Sequence, residues 1–291
     1  MPAAFVLSSR RRMLAAAAAL AGLGGCALHP MRSERIVDVA NGQVLTRAQL
    51  LSRLRQADWV LLGEQHDNPQ HHARRAALIA ELGPAVVVVS EHLERGRRVE
   101  PGADTRARLE GAGFDLHGWQ WPIHRPLYEP LLAAGIPVLG GDAARNVVRE
   151  VARRGLEAAP ADLRALVDAV PLSPAAEAIL DQALVDSHCG HLAPARLLPM
   201  RAAQRVRDAA LALSLQAAGG RPGVLVAGNG HVRLDYGVPV MLRQLQPRAR
   251  VVSVGFGEPG WDLRIAPYTL LWFTAGVKRA DPCATMPPLP R

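Results

Sequence analysis

"DWVLLGEQHDNPQHHARRAALIAELGPAVVVVSEH", Asp58 to His92, opens and closes on a short apolar run. WVLL and AVVVV lack the apolar–polar alternation of a strand with one wet face. Continuous runs of this length suit strands buried on both faces, as in a parallel sheet covered by helices. Between them Asn68 is a good N-cap and Pro69 fits the first helical position, so a helix is expected to start there. Strand, helix, strand at this spacing predicts a right-handed crossover between parallel strands. Three further runs have the same build: Ile136–Asp142 (IPVLGGD), Gly223–His231 (GVLVAGNGH) and Ala249–Glu258 (ARVVSVGFGE). The expected fold class is α/β, a mainly parallel sheet flanked by helices.

The spacing changes between IPVLGGD and GVLVAGNGH. Residues from about 143 to 218 carry no strand signal and several helical ones. One is SPAAEAILDQALVDSH, with Ser173 as N-cap and Pro174 at the first helical position. That is too much chain for one crossover, so an inserted helical subdomain is expected over the sheet. The α/β domain as a whole is expected over 46–270, starting at Thr46, the N-cap of a helix with Leu50, Leu51 and Leu54 at helical spacing. Upstream, residues 26–45 read as a linker holding a short RIVDV strand and an NGQ turn. Downstream, PYTLLWFTAGV predicts one more strand at an edge of the sheet, and residues 271–291 run from that strand into a proline-rich tail.

The N-terminus reads as an address. SRRRMLAAAAALAGLGGC, Ser9 to Cys26, has a basic start, an alanine–leucine stretch and small residues before the cysteine. Residues 1–25 are therefore expected to be an export signal, too short for a bilayer-spanning helix. SRRRML resembles a twin-arginine motif, and Leu23-Gly24-Gly25-Cys26 resembles a lipobox. A lipobox makes Cys26 the lipid-modified first residue of the mature chain; the alternative is ordinary cleavage with Cys26 incidental. Ala27 is not the aspartate that retains some bacterial lipoproteins at the inner membrane, so the expected place is the bacterial envelope, at the outer membrane facing the periplasm. Cys189 and Cys283 remain, and the sequence leaves their pairing open.

The formal charge of +8 invites a nucleic-acid partner, but Arg10, Arg11 and Arg12 supply three of those charges. Beyond residue 25 there are 31 basic and 26 acidic residues, or +5, scattered along helices. Aromatic residues are only 4% of the chain, so the basic stripe with stacking rings that marks nucleic-acid binders is missing.

Every apolar run ends in polar residues: Glu64 and His66, Glu91 and His92, Asp142, Asn229 and His231, Glu258. Parallel strands bring ends of one polarity to one edge, where open α/β sheets bind ligands. Asp142 and Glu258 taken singly are explained as turn or cap residues. The histidines are not so easily dismissed. His71 and His72 fall in a first helical turn, where the positive helix end disfavours imidazolium. His71 shares a face with Leu78 and Leu82 and should point at the sheet; His72 reads equally as a site residue or as an ordinary packed or surface histidine. SHCGHLAP adds His188 and His191, without the CxxC partners of a structural zinc site. GNGHVRLDYGVP adds His231, Arg233 and Tyr236, and a tyrosine there either packs or ligates iron. There is no nucleophile elbow, P-loop, Rossmann fingerprint or HEXXH, so Glu, His and Tyr must carry any chemistry.

LLGEQHDNPQHH, SEHLERG, SHCGHLAP, the MRAAQRVRDAAL helix and GNGHVRLDYGVP occur in this order, and together they resemble the ChaN-like haem-binding lipoproteins. That family is related to Tiki-type proteases and erythromycin-esterase-like proteins. The resemblance spans roughly residues 35 to 258. It implies an α/β core with a helical subdomain, a lipid-anchored envelope protein of haem or iron uptake, and ferric haem held with the help of a homodimer. A tyrosine ligates the iron in that family, and the tyrosine in the matching motif is Tyr236. His188 and His191 are the assisting candidates, with His231 behind them. Arg233 would lower the phenol's pKa or meet a haem propionate. Haem alone leaves Glu64, His66 and Glu91 unexplained. Tiki-type relatives use Glu and His at matching strand ends for metal-dependent peptide hydrolysis. The alternative is therefore a hydrolase holding Mn²⁺ or Zn²⁺ at Glu64, His66, Glu91 and His231.

Overall fold

The computed structural model describes residues 34–263 and 266–284; the expected signal peptide and Cys26 lie outside these residues. The strands are β1 (Arg35–Asp38), β2 (Val44–Leu45), β3 (Trp59–Leu62), β4 (Val87–Glu94), β5 (Val138–Asp142), β6 (Gly223–Val226), β7 (Val251–Gly257) and β8 (Leu270–Phe273). They form one sheet in the order β2-β1-β8-β7-β3-β6-β4-β5. From β8 to β5 all six strands run parallel, while β1 and β2 pair antiparallel. The five apolar runs are β3 to β7, and their carboxyl ends share one edge. The sheet begins upstream of Thr46, inside residues 26–45.

β8 departs from expectation. It is not an edge strand, because β1 pairs along its whole length, from Arg35 opposite Phe273 to Asp38 opposite Leu270. All four residues of LLWF are buried, which an interior position satisfies. The edge falls instead to two-residue β2, whose Val44 is largely exposed. A very short edge strand offers little backbone for unwanted pairing.

Helices cover both faces. α1 (Arg47–Arg55), α2 (Pro69–Leu82), α3 (Thr105–Gly111) and α4 (Trp121–Ala133) lie on one. α5 (Arg145–Arg154), α6 (Ala161–Ala169), α8 (Pro194–Ala218) and α9 (Val238–Leu245) lie on the other. Successive strand residues point to opposite faces, so β3 feeds Val60 and Leu62 into the first core and Trp59 and Leu61 into the second. α7 (Pro174–Ser187) stands apart. It packs Ala176, Leu180 and Leu184 against Leu192 and Tyr236 in a small third cluster. Of the helices between β5 and β6, then, α5, α6 and α8 serve as the sheet's second cover and α7 alone has a core of its own.

The expected caps form. Thr46 and Gln49 make a reciprocal capping box, the Asn68 side chain accepts from the Gln70 N–H at 2.9 Å, and Ser173 accepts from the Ala176 N–H at 3.2 Å.

Candidate functional site

Glu64 follows β3 directly and is turned inward beneath its loop, only 2% exposed. Its Oε1 lies 2.7 Å from His66 Nδ1, 3.0 Å from His92 Nε2 and 3.8 Å from His124 Nε2. Its Oε2 meets the Arg75 guanidinium and lies 3.0 Å from His72 Nδ1. α2 presents His72 and Arg75 three residues apart on one buried face. His72 Nε2 donates to the His66 carbonyl at 3.0 Å, which leaves Nδ1 to accept from Arg75 at 2.7 Å. Burial pulls the His72 pKa down to about 4, so its ring is neutral at neutral pH. The buried Glu64 carboxylate therefore has one full counter-charge, Arg75, and a ring of neutral imidazoles.

Two of those imidazoles come from other elements. His92 closes the polar end of β4, and burial next to His124 holds its pKa well below the ordinary value. Its Nδ1 lies 2.6 Å from the Tyr128 hydroxyl, which is 2.7 Å from Ser90 Oγ. His124 sits on α4, 1% exposed, and neither ring nitrogen has a hydrogen-bond partner. Burial takes its pKa to about 2.

A second buried cluster lies beside the first. Glu91 Oε1 accepts from Arg207 at 2.6 Å, and Glu91 Oε2 accepts from the Gly228 N–H at 2.5 Å. Arg207 also forks onto Asp142, at 2.7 to 3.1 Å. His231 places Nδ1 2.6 Å from Asp208 and Nε2 3.3 Å from Glu91. Burial opposes charge on both, but Glu91 and Asp208 raise the His231 pKa to about 10, while His231 and Arg207 hold Glu91 well below the carboxylate range. The pair is ionised at neutral pH. Glu91, His92, Trp119, Asp142, Arg145 and Arg207 help to line a cleft of about 390 Å³. His66, with a side chain 46% exposed, pairs with Glu64 of the first cluster at the loop that leads to the second. It fits only because position 228 is glycine: a Cβ there would lie 2.9 Å from the His66 ring and 3.5 Å from Glu91 Oε2.

The four residues expected to form one metal site are thus divided. Glu64 and His66 group with His92 and His124, while Glu91 and His231 group with Arg207, Asp142 and Asp208. The reason is the pleat: Glu91 and His92 are consecutive in β4 and point to opposite faces of the sheet. Asp142 is the partner of Arg207 rather than a plain turn residue, and Glu258 pairs with Arg279 and Asn68. His71 points at the sheet against Phe256, as its spacing predicts, and His72 is fully buried too.

Of the residues expected to serve haem, His231 belongs to the second cluster, while Tyr236 with its neighbours Arg233, His188 and His191 lies around the third. Tyr236 is 3% exposed and packed with Leu184 and Leu192, which flank the loop carrying His188 and His191. His188 caps α7, with Nδ1 2.7 Å from the Leu184 carbonyl, and His191 is exposed. Cys189 in the same loop is disulfide-bonded to Cys283. Arg233 lies 4.5 Å over the Tyr236 ring and pairs with Asp235. Burial outweighs the arginine, so the phenol's pKa is raised to about 12 rather than lowered. α7 and α8 also carry Ile179 and Leu198, two of the three exposed large apolar side chains among the described residues. A phenol, two imidazoles, an arginine and apolar surface are a donor set that fits a ferric porphyrin.

Sequence reading passed over His124, Tyr128, Arg75, Arg207 and Asp208. Their common signal was a polar residue inside the apolar stripe of a helix. His124 and Tyr128 share a face with Leu127 and Leu131, and Asp208 shares one with Leu211 and Leu215.

No curated protein matches the sequence. Among solved structures, ChaN of Campylobacter jejuni, described as binding haem cofacially, superposes with a TM-score of 0.69 at 18% identity, over 84% of this chain and 97% of that one. The type III effector HopBA1 matches with a TM-score of 0.42 at 15% identity, over 85% of this chain and 99% of that one. The first likeness establishes the fold. The family model described as haem-binding uptake, Tiki superfamily, ChaN matches residues 50–242, and the chain belongs to that haem-binding family.

Proposed function

We propose that this protein takes up or hands on haem at the bacterial envelope, holding ferric iron through Tyr236 with His188 or His191 in support. The observation that carries this reading is the gathering of Tyr236, the 188–192 loop and Arg233 around one small core, beside exposed Ile179 and Leu198. The apolar pair would face the porphyrin or a second copy of the chain, and Arg233 would meet a propionate. Tyr236 is buried against Ala176, Leu180 and Leu184 of α7 and Leu192, so its phenol would hold iron only in a state that uncovers it. Lipid attachment at Cys26 would hold the protein at the outer membrane facing the periplasm; labelled palmitate should enter the wild type and not Cys26→Ser. The deciding measurement is the absorption spectrum with ferric haem. A Soret band with tyrosinate charge-transfer features is expected, and Tyr236→Phe should lose those features. Unchanged haem binding in Tyr236→Phe would sink the ligand assignment.

One observation favours hydrolysis as a second reading: Glu91 and Arg207, paired at 2.6 Å, line a cleft, and buried His231 backs Glu91 at 3.3 Å. There Glu91 would orient water and His231 would protonate a leaving group. Loss of peptide or ester cleavage in Glu91→Gln, against a cleaving wild type, is the expected result; a wild type inert with added Mn²⁺ or Zn²⁺ counts against it.

A further inference from the structure

The cover over Tyr236 is held differently at its two ends. Along the first half of α7, Arg201 of α8 forks onto Asp181 at 2.7 and 2.8 Å and reaches Glu177 at 3.0 Å. Along the second half, the polar contacts stay within the helix: Gln182 donates to Asp186, and Ser187 to the Leu184 carbonyl. What fastens that half is Cys189, which lies in sequence between Leu184 and Leu192, two of the side chains packed on Tyr236. Cys189 is disulfide-bonded to Cys283. Four residues before Cys283, Arg279 Nη2 lies 2.7 Å from Glu258 and 2.8 Å from Asp67. The cover is therefore hinged at Arg201 and fastened at Cys189 to a segment grounded on the carboxyl edge of the sheet.

We propose that the Cys189–Cys283 disulfide is a redox latch on the haem site: closed, it keeps Leu184 and Leu192 over Tyr236, and its reduction lets the second half of α7 and the 188–192 loop lift and admit ferric haem to the phenol. The inference rests on Tyr236 as the iron ligand and adds what governs access to it. Once the crosslink is cut, the burial of two leucines is what holds the free end of the cover, and local opening on that scale occurs without global unfolding. The backbone favours the release. Cys189 sits at φ 55, a conformation that costs a residue with a Cβ, and beside it Gly190 at φ 73 supplies a pivot. Cys283 is exposed and Cys189 partly buried, so a reductant meets Cys283 Sγ first. The reductant is a dithiol of the kind that thiol–disulfide exchange proteins present. One of its thiolates attacks Cys283 Sγ, the S–S bond breaks and Cys189 leaves as a thiolate. The second thiol then displaces Cys283, so the dithiol is oxidised to a disulfide while both cysteines are reduced and take up protons.

The test compares oxidised mature protein with protein reduced by dithiothreitol, alkylated with iodoacetamide and freed of reductant, so that added haem stays ferric. Stopped-flow mixing with ferric haem follows the growth of the tyrosinate charge-transfer band. The alkylated form should bind at least about tenfold faster, because the observed rate scales with the open fraction. Cys283→Ser should match it with no reductant present. Amide exchange without haem should quicken in residues 184–192, while residues 174–181 and the half of α8 against the sheet keep the protection of the oxidised form. Equal haem rates in the oxidised and alkylated forms overturn the latch. So does exchange that quickens evenly through α7 and α8, which marks general destabilisation. Tyrosinate bands that persist in Tyr236→Phe would instead remove the ligand assignment, and the exchange contrast between the two halves of α7 tells that failure from a failure of the latch.

Discussion

His71 and His72 are neighbours in α2, both fully buried, and the reasons differ. His72 is held in the Glu64 cluster, whereas His71 Nδ1 accepts from the Gln65 N–H at 3.0 Å and its ring lies 5.5 Å from that of Phe256. Burial takes the His71 pKa down from 6.5 to about 4. An unfolded chain then binds a proton between pH 6.5 and 4 that the folded chain refuses, so stability falls as pH falls through that window. At about 1.4 kcal/mol per pH unit, His71 should cost about 2 kcal/mol at pH 5 relative to pH 7. Urea midpoints at the two pH values should therefore differ less in His71→Gln than in the wild type. Equal differences would show that His71 titrates normally.

At the scale of elements, α7 is the weakly anchored helix. Its core is small, and its start depends on the Ser173 hydroxyl. Ser173→Ala should cost between about 0.5 and 2 kcal/mol. Because α7 packs little on the sheet, the loss should appear as faster amide exchange in residues 174–187, while the half of α8 against the sheet keeps its protection. Haem should change exchange in the same helix if iron reaches Tyr236 beneath it. α2 contrasts with this: Asn68 caps it, and the same side chain donates to Glu258 and to the Ala275 carbonyl, so its start is tied into the rest of the fold.

At the scale of the whole molecule, the C-terminal segment straps two distant places together. Arg279 joins Asp67, in the loop after β3, to Glu258, after β7. Four residues on, Cys283 is disulfide-bonded to Cys189 at the end of α7, 94 residues away in sequence. A crosslink over such a loop restricts the unfolded chain and typically stabilises by roughly 2–4 kcal/mol. Reductant should lower the melting temperature of the wild type and leave Cys283→Ser unmoved. A wild type indifferent to reductant would mean that the crosslink contributes little.

The alternation-free runs of β3 to β7 announced a parallel sheet, and Thr46, Asn68 and Ser173 announced their helices, because those signals are local. The strand-end residues Glu64, Glu91 and His231 could be read as neighbours for the same reason, since parallel strands bring like ends together. β8 was misplaced because nothing within LLWF says that Arg35–Asp38 will pair with it across more than 230 residues. How the acids and histidines sort into two clusters was equally out of reach. The sequence alone determined the family, the fold class and which strand ends carry polar chemistry. Only the tertiary structure decided that Glu64 turns inward to Arg75 and His124 while Glu91 turns to Arg207 and His231. The physical reason is that most of these partners come from elements far along the chain, His124 from α4, Arg207 from α8 and His231 from the loop after β6, and it is packing on opposite faces of the sheet that brings each one within reach.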